Sequence, residues 1–344
     1  MTKLVVYIPT YNRVENLKTC VSSIAPQIQD GVQVYVSNNA STDGTTEYLD
    51  GLDYPWLTVY HQPKNLGGAY NQLSAWFIPV ETEYVWVIGD DDYLLPNALK
   101  TLLDAIQKHP VDFIFCNTQA YPNTEESRVM QMWRDGKLPR GTIKGKYSNT
   151  IECSFADLVD PRVADSLLLE IMCLCVRKKA IRQDLSYTPD EMQLQDSDGR
   201  NLDKSKIGDF RHAGRYYTAV TAPILDSFTN RTTGLYLHPP LTFNFWGGGN
   251  GWQKDYDLVF PVAILYMIEM YYEKQIIDRE KYLWLLDYYF KLMSASLKRQ
   301  MEGTSTAVPF SNDILRQIQT SFDTLNAEIE SRQRQGLAQG LHKR

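Results

Sequence analysis

The chain has 344 residues, 43% of them hydrophobic and 22% charged, with 20 glycines and 16 prolines. That is a globular composition, which excludes a disordered chain, a collagen-like repeat and a disulfide-stapled miniprotein, and the length suits one large domain with an appendage, or two domains. A net charge of −6 and an isoelectric point near 5.5 speak against a nucleic-acid binder, which needs a basic face.

Five cysteines, Cys20, Cys116, Cys153, Cys173 and Cys175, are odd in number and lack CxxC spacing, as expected of reduced thiols in a cytoplasmic protein. Met-Thr-Lys leads straight into a strand-like run, so no secretory signal is expected. The longest apolar run, Leu258 to Ile268, is 11 residues, against the roughly 20 that span a bilayer.

The first 120 residues alternate β-branched runs with amphipathic segments. Leu4–Ile8 reads as a buried strand ended by Pro9, and Glu15–Ala25 as a helix through Leu17, Val21 and Ile24, with Asn12 as N-cap. Val32–Val36 is a second strand, and Thr42 or Asp43 caps a helix through Leu49. Leu57–Tyr60 is a third strand and Gly68–Phe77 a helix; Tyr84–Ile88 is a fourth, with Pro96 at N1 of a helix through Ile106; Val111–Cys116 is a fifth. This rhythm predicts an α/β fold with a doubly wound, mostly parallel sheet, whose ligands sit beyond the carboxyl ends of the strands. From 120 to 165 the pattern is lost. A strand returns at Leu167–Val176, followed by a polar stretch, Gln183–Asp209, that reads as a mobile loop. Gly214–Ala222 reads as helix, and Leu235–Phe245 as a strand interrupted at His238-Pro239-Pro240. Tyr256–Gln300 has large residues at helical spacing, and Ile314, Ile318, Phe322, Leu325 and Ile329 form a seam on a polar helix over Asn312–Arg334.

The chemistry-bearing residues follow the strands. Gly89-Asp90-Asp91-Asp92 leaves the fourth. Three successive carboxylates repel one another unless a cation neutralises them, and Mg²⁺ or Mn²⁺ takes such oxygens together with substrate phosphates. Alternation along an extended segment aims Asp90 and Asp92 at one nucleotide–metal site and Asp91 elsewhere; the plainer reading is a solvated acidic turn. After the first strand, Pro9, Thr10 and Tyr11 suit a base or ribose and Arg13 a phosphate. After the second, Asn38, Asn39 and Asp43 suit base or ribose hydrogen bonding, or simply cap the next helix. Lys64 and Asn65, ahead of Gly67 and Gly68, suit a phosphate approached closely by backbone.

In this order, Pro-Thr-Tyr-Asn-Arg, Asn-Asn-Ala-Ser-Thr-Asp-Gly-Thr, Asn-Leu-Gly-Gly and Gly-Asp-Asp-Asp resemble family 2 glycosyltransferases of the GT-A fold over about residues 3–120. The resemblance implies a nucleotide-sugar donor held by the first motif and Asn38, and a divalent metal on Asp90 and Asp92. The sequence departs at Asn38, where the family commonly has Asp. The later part, through Ile207–His212 and Leu241–Asn250, looks like the abequosyltransferase-like branch of bacterial surface-polysaccharide enzymes. That implies inverting transfer to a glycan hydroxyl, on an acceptor carried by polyprenyl diphosphate, at the inner face of the cell membrane. The family often places its carboxylate base in a Glu-Asp pair after the strand matching Leu167–Val176, and that pair is missing. Asp209 is the preferred base, with Asp198 and Asp196 as alternatives; His212 is a further candidate metal ligand. Trp246, Asn250 and Trp252 form a candidate sugar- and acceptor-covering loop, or else a linker. The expected domains are a GT-A domain over 1–252, with a donor half (1–120) and an acceptor half (121–252), and a helical region over 253–344. Those helices are candidates for peripheral membrane contact or for pairing with a second copy. A nucleotidyltransferase and a catalytically inactive scaffold are the rival readings.

Overall fold

The computed structural model describes residues 2–143, 145, 147–163, 167–168, 170–189, 192, 208–246 and 255–334. The chain divides into two compact units, Met1–Gln193 with Ala219–Gly249, and Leu194–Thr218 with Asn250–Arg344.

In the first unit β1 (Thr2–Thr10), β2 (Val32–Asn38), β3 (Leu57–His61) and β4 (Thr82–Val87) run parallel, joined by α1 (Val14–Ile24), α2 (Thr45–Asp50) and α3 (Gly68–Leu73). Leu4 to Ile8 are fully buried, the continuous apolar run of a strand covered on both faces. α1 turns Leu17, Cys20, Val21 and Ile24 onto that core. The unit continues with β5 (Tyr93–Leu94), α4 (Ala98–Lys108), β6 (Phe113–Pro122), α5 (Glu126–Arg134), β7 (Thr142–Ile143), β8 (Ile151–Ser154), α6 (Phe155–Leu158) and β9 (Leu174–Arg177). The chain then passes through α7 (Phe210–Tyr217) of the second unit and returns as α8 (Ala222–Ser227) and β10 (Thr233–Trp246). The sheet order is β3-β2-β1-β4-β9-β6-β10-β5, with β7 on β6 and β8 on β10. β9 is antiparallel to both neighbours, and β10 runs parallel to β6. The mostly parallel α/β sheet is as expected.

Several local expectations change. Asn12 is not the N-cap of α1: Arg13 holds that place, and the Asn12 side-chain oxygen accepts instead from Thr42 N–H (2.7 Å). Gly44, at φ +94°, caps α2, while Asp43 accepts from Thr45 N–H and from Val14 N–H, the first amide of α1. Pro96 lies ahead of α4, whose N-cap is Asn97 at φ +65°. The region 120–165 carries α5, β7, β8 and α6. Only Val129 and Met130 of α5 are buried, so its periodicity is faint. Of the strand expected at Leu167–Val176, pairing begins at Leu174. β10 is one long strand whose register slips between Leu237 and Thr242, where His238-Pro239-Pro240 cannot keep the ladder. Asn117 bridges the slip by donating to His238 O and Tyr236 Oη.

The second unit holds α7, α9 (Tyr256–Glu273), α10 (Arg279–Leu292), α11 (Ser294–Met301) and α12 (Asn312–Arg334). α9 is apolar around most of its circumference, as befits a central helix; α7, α10 and α11 pack against it, and α12 packs on α10 and α7. On α12, Ile314 and Leu325 are buried and Phe322 meets Phe290 edge-on (5.5 Å), so part of the seam docks within the chain. No helix among the described residues is long and apolar enough to cross a membrane.

Candidate active site

The loops after β1, β2, β3 and β4 lie at one edge of the sheet because those strands are parallel. Gly89 to Asp92 is a tight turn, closed by Asp92 N–H on Gly89 O (3.2 Å) and by Gly89 N–H on Asp92 Oδ2 (2.6 Å). A Cβ at Gly89 would lie 2.7 Å from Asp91 Oδ1 and 3.0 Å from Asp92 Oδ2, so a larger residue there would displace these carboxylates. Asp90 and Asp92 are buried and Asp91 is exposed. Thr10 Oγ1 donates to Asp90 Oδ2 (2.7 Å), and Arg13 reaches Asp90 Oδ1 (3.3 Å) and Asp91 Oδ2 (2.8 Å), clamping the first loop onto the fourth. Asn244 of β10 donates to Asp92 Oδ1 (3.2 Å).

The electrostatics follow from burial. Desolvation raises the Asp90 carboxyl to about 7 against the opposing pull of Arg13, with Asp91 adding to the rise. Asp92 is pushed well above the carboxylate range by burial, then by Asp91 and by Glu170. The Cys20 thiol beneath the turn is raised by burial and by the same three aspartates. This turn is built to hold negative charge that its own surroundings only partly offset.

Around it, Asn38 is fully buried at the end of β2, bonded to Ser41, Thr46 and His61. Asn39 joins the second loop to the third: its side chain donates to Asn65 Oδ1 (2.8 Å) and accepts from Leu66 N–H, while Asn65 Oδ1 also accepts from Gly67 N–H. Gly67, at φ +85°, then starts α3 at Gly68. Lys64 is exposed and Tyr11 is 38% exposed. Pro9 is half-buried within β1. Asp43 titrates below the usual carboxylate range: against the burial that would raise it, it accepts from Thr45 and from Val14 N–H. Trp246, at the end of β10, is 54% exposed.

Glu170 is the residue that sequence reasoning missed. β9 runs antiparallel to β4 and β6, so the chain enters it at the edge where the parallel strands end. A carboxylate facing the site therefore belongs before this strand, not after it. Glu170 stands there, three residues beyond Leu167 and two beyond Leu168, both buried with φ +48° and +70°. Bulky residues in the left-handed region cost roughly 1–3 kcal/mol each and mark places where geometry matters more than stability. The available signal was the lone acid within an otherwise apolar run.

In the second unit Asp209 caps α7 and accepts from His212 N–H (2.6 Å); the His212 Nε2 is buried without a partner among the described residues. Asp196, Asp198, Asn250 and Trp252 lie outside the described residues.

Residues 5–167 match the model of Glycosyl transferase family 2. Glycosyltransferase GlyG of Streptococcus pneumoniae is 28% identical over 130 residues, 37% of this chain and 42% of that protein. Abequosyltransferase RfbV of Salmonella typhimurium is 33% identical over 115 residues, 32% of this chain and 34% of that protein. The chain thus aligns with less than half the length of these curated relatives. Among solved structures, S. aureus TarS 1–349 in complex with UDP-GlcNAc superposes with a TM-score of 0.57 over 94% of this chain and 80% of that one, at 14% identity, a likeness of fold.

Proposed function

We propose, from the match of residues 5–167 to the model of Glycosyl transferase family 2, that the protein moves one sugar, with inversion, from a nucleotide-diphosphate sugar to a hydroxyl of a bacterial surface glycan. The observation that carries this reading is the buried pair Asp90, clamped by Thr10 and Arg13, and Asp92, held by Gly89 N–H and Asn244, at the edge where a parallel sheet receives its ligands. The acceptor end of the reading is a polyprenyl-diphosphate-linked glycan met at the inner membrane face, with the second unit's helices as the surface that meets it.

A divalent cation fits this turn. Its two buried carboxylates are raised by burial and by neighbouring acids, and a cation relieves that cost. The described residues contain no group of three or more His, Cys, Asp or Glu that could hold a metal, so Asp90 and Asp92 would hold it with donor phosphates as the further oxygens. Bound there, Mn²⁺ or Mg²⁺ supplies positive charge to the leaving diphosphate. The chain's own residues do the rest. Thr10 fixes the direction of the Asp90 carboxylate, Arg13 is placed to pass from Asp91 to a phosphate, and Trp246 offers an indole face to a sugar. A carboxylate takes the acceptor hydroxyl's proton as its oxygen attacks the anomeric carbon and the bond to the diphosphate breaks. Asp209 is the first candidate for that base. Glu170 is the second, favoured by its negative charge acting on Asp92.

The test is thermal stability with UDP, dTDP, GDP, CDP and CMP, each with and without Mn²⁺, on the wild type and Asp92→Ala. A ligand that binds only the native state raises the melting temperature. One nucleoside diphosphate should stabilise the wild type in the presence of metal and leave Asp92→Ala unmoved. No shift with any of them sinks the reading. Asp209→Asn and Glu170→Gln then separate the bases, because the true one keeps nucleotide binding and loses turnover.

A further inference from the structure

Asn38 ends β2 with every polar atom of its side chain engaged. Its Oδ1 accepts from Ser41 N–H (3.1 Å), and its Nδ2 meets Thr46 Oγ1 (2.9 Å) and His61 Nδ1 (2.9 Å). His61 ends β3, and its Nε2 lies 3.1 Å from Asp50 Oδ1 at the end of α2. A backbone N–H can only donate, so the Ser41 contact fixes which end of the Asn38 amide is oxygen. The nitrogen then faces His61. An amide nitrogen can only donate, so His61 Nδ1 must accept, and the ring proton sits on Nε2, where Asp50 receives it. One backbone amide thus dictates an amide orientation and a tautomer in sequence.

We propose that His61 is a positioning residue for the nucleotide loop: held as the Nε2–H tautomer by Asp50, it accepts from Asn38 and so fixes the turn over residues 38–46. That turn carries Asn39, which orders Asn65 and Gly67 of the third loop, and Asp43, which holds the first amide of α1 beside Arg13. The chain Asp50–His61–Asn38 therefore ties together three of the four loops at the sheet edge. It also explains why an amide serves at position 38: an Asp there would set an acceptor against His61 Nδ1, and the ring could then keep its Nε2–H bond to Asp50 only as an imidazolium. The inference rests on the nucleotide-binding reading of this edge.

Two measurements test it. In ¹⁵N NMR of the unaltered protein, with His61→Asn used to assign the signal, His61 should show a bare Nδ1 and a protonated Nε2; the opposite tautomer overturns the proposal. By calorimetry with whichever of UDP, dTDP, GDP or CDP binds in the presence of Mn²⁺, His61→Phe should weaken affinity about tenfold, as for loss of one hydrogen bond that leaves a buried donor unmet. His61→Asn puts an amide oxygen near the place of Nδ1 and should restore affinity to within about threefold. A folded His61→Phe that binds as the wild type does, or a His61→Asn as weak as His61→Phe, refutes the positioning role while leaving the donor site standing. A wild type that binds none of the four removes the nucleotide reading and this inference with it.

Discussion

At the scale of single residues the decisive feature is buried negative charge. Among the described residues Asp92 has hydrogen bonds from Gly89 N–H and Asn244 and no ion pair, so its ionised form is costly in the ligand-free fold. Asp92→Asn keeps shape and removes charge. It should raise the melting temperature of the ligand-free protein at pH 8 by about 2–8 °C, for about 1–2 kcal/mol, while abolishing stabilisation by metal and nucleotide. A ligand-free melting temperature that falls instead contradicts the electrostatic account. The pH dependence has a definite sign. A carboxyl raised in the fold binds its proton more tightly there than in the unfolded chain, so stability is full below about 4 and is lost as pH rises through about 7, the Asp90 value. Between pH 5.5 and 8 this contribution should decline in the wild type. Metal binding runs the other way because it needs the deprotonated oxygens, so the thermal shift from Mn²⁺ with nucleotide should be larger at pH 8 than at pH 6. Equal shifts at both pH values would count against Asp90 and Asp92 as ligands.

At the scale of elements, what was legible in the sequence is what local pattern controls. β1, β2 and β4 are apolar runs, their polar exits follow directly, and the acidic turn stood out because three carboxylates in a row have few structural uses. The direction of β9 was not legible, because it is set by partners in β4 and β6, more than 50 residues earlier in sequence. Local pattern therefore points to a base beyond the strand, at Asp209, and not to Glu170 ahead of it. α5 was missed for a related reason: it buries few residues, yet Trp133 joins Tyr93 and Phe243 in an aromatic cluster next to the acidic turn. Helix packing in the second unit gives a sharp prediction. Gly214 of α7 lies so close to α9 that a Cβ would sit 2.4 Å from Tyr266 Cγ, and Tyr266 is buried. Alanine is the better helix former by about 1 kcal/mol. A clash with an immobile ring costs about 1–3 kcal/mol or more, so the clash wins. Gly214→Ala should lower the melting temperature, and Gly214→Ala with Tyr266→Ala should not lower it further by the full cost of the second change. Additive losses would show that the two helices do not meet at this glycine.

At the scale of the molecule, the first unit is discontinuous in sequence. The family match ends at residue 167, yet the sheet is not complete there. β10, from residue 233 onward, fills the place between β6 and β5 and pairs with β6 in two stretches, Gly234–Leu237 and Thr242–Trp246. It brings Leu235, Leu237, Leu241 and Phe243 into the core and Asn244 onto Asp92. Trp76 after α3 likewise donates to Val220 O, 144 residues later. A chain ended at residue 193 would leave β6 as an open edge with its apolar faces uncovered, and an unpaired edge of that kind invites association with other chains. Burial of these four large side chains at about 1.5–3 kcal/mol each is comparable with the typical stability of about 5–15 kcal/mol for a whole domain. Residues 1–193 expressed alone should therefore show no cooperative thermal transition and no response to nucleotide with metal, although they contain Thr10, Arg13, Asn38 and all three aspartates. Circular dichroism on heating, with and without nucleotide and Mn²⁺, decides the matter. A cooperative, nucleotide-sensitive transition in that fragment would mean that β10 is an addition to the donor site, and that the site's fold is settled before the chain returns from the second unit.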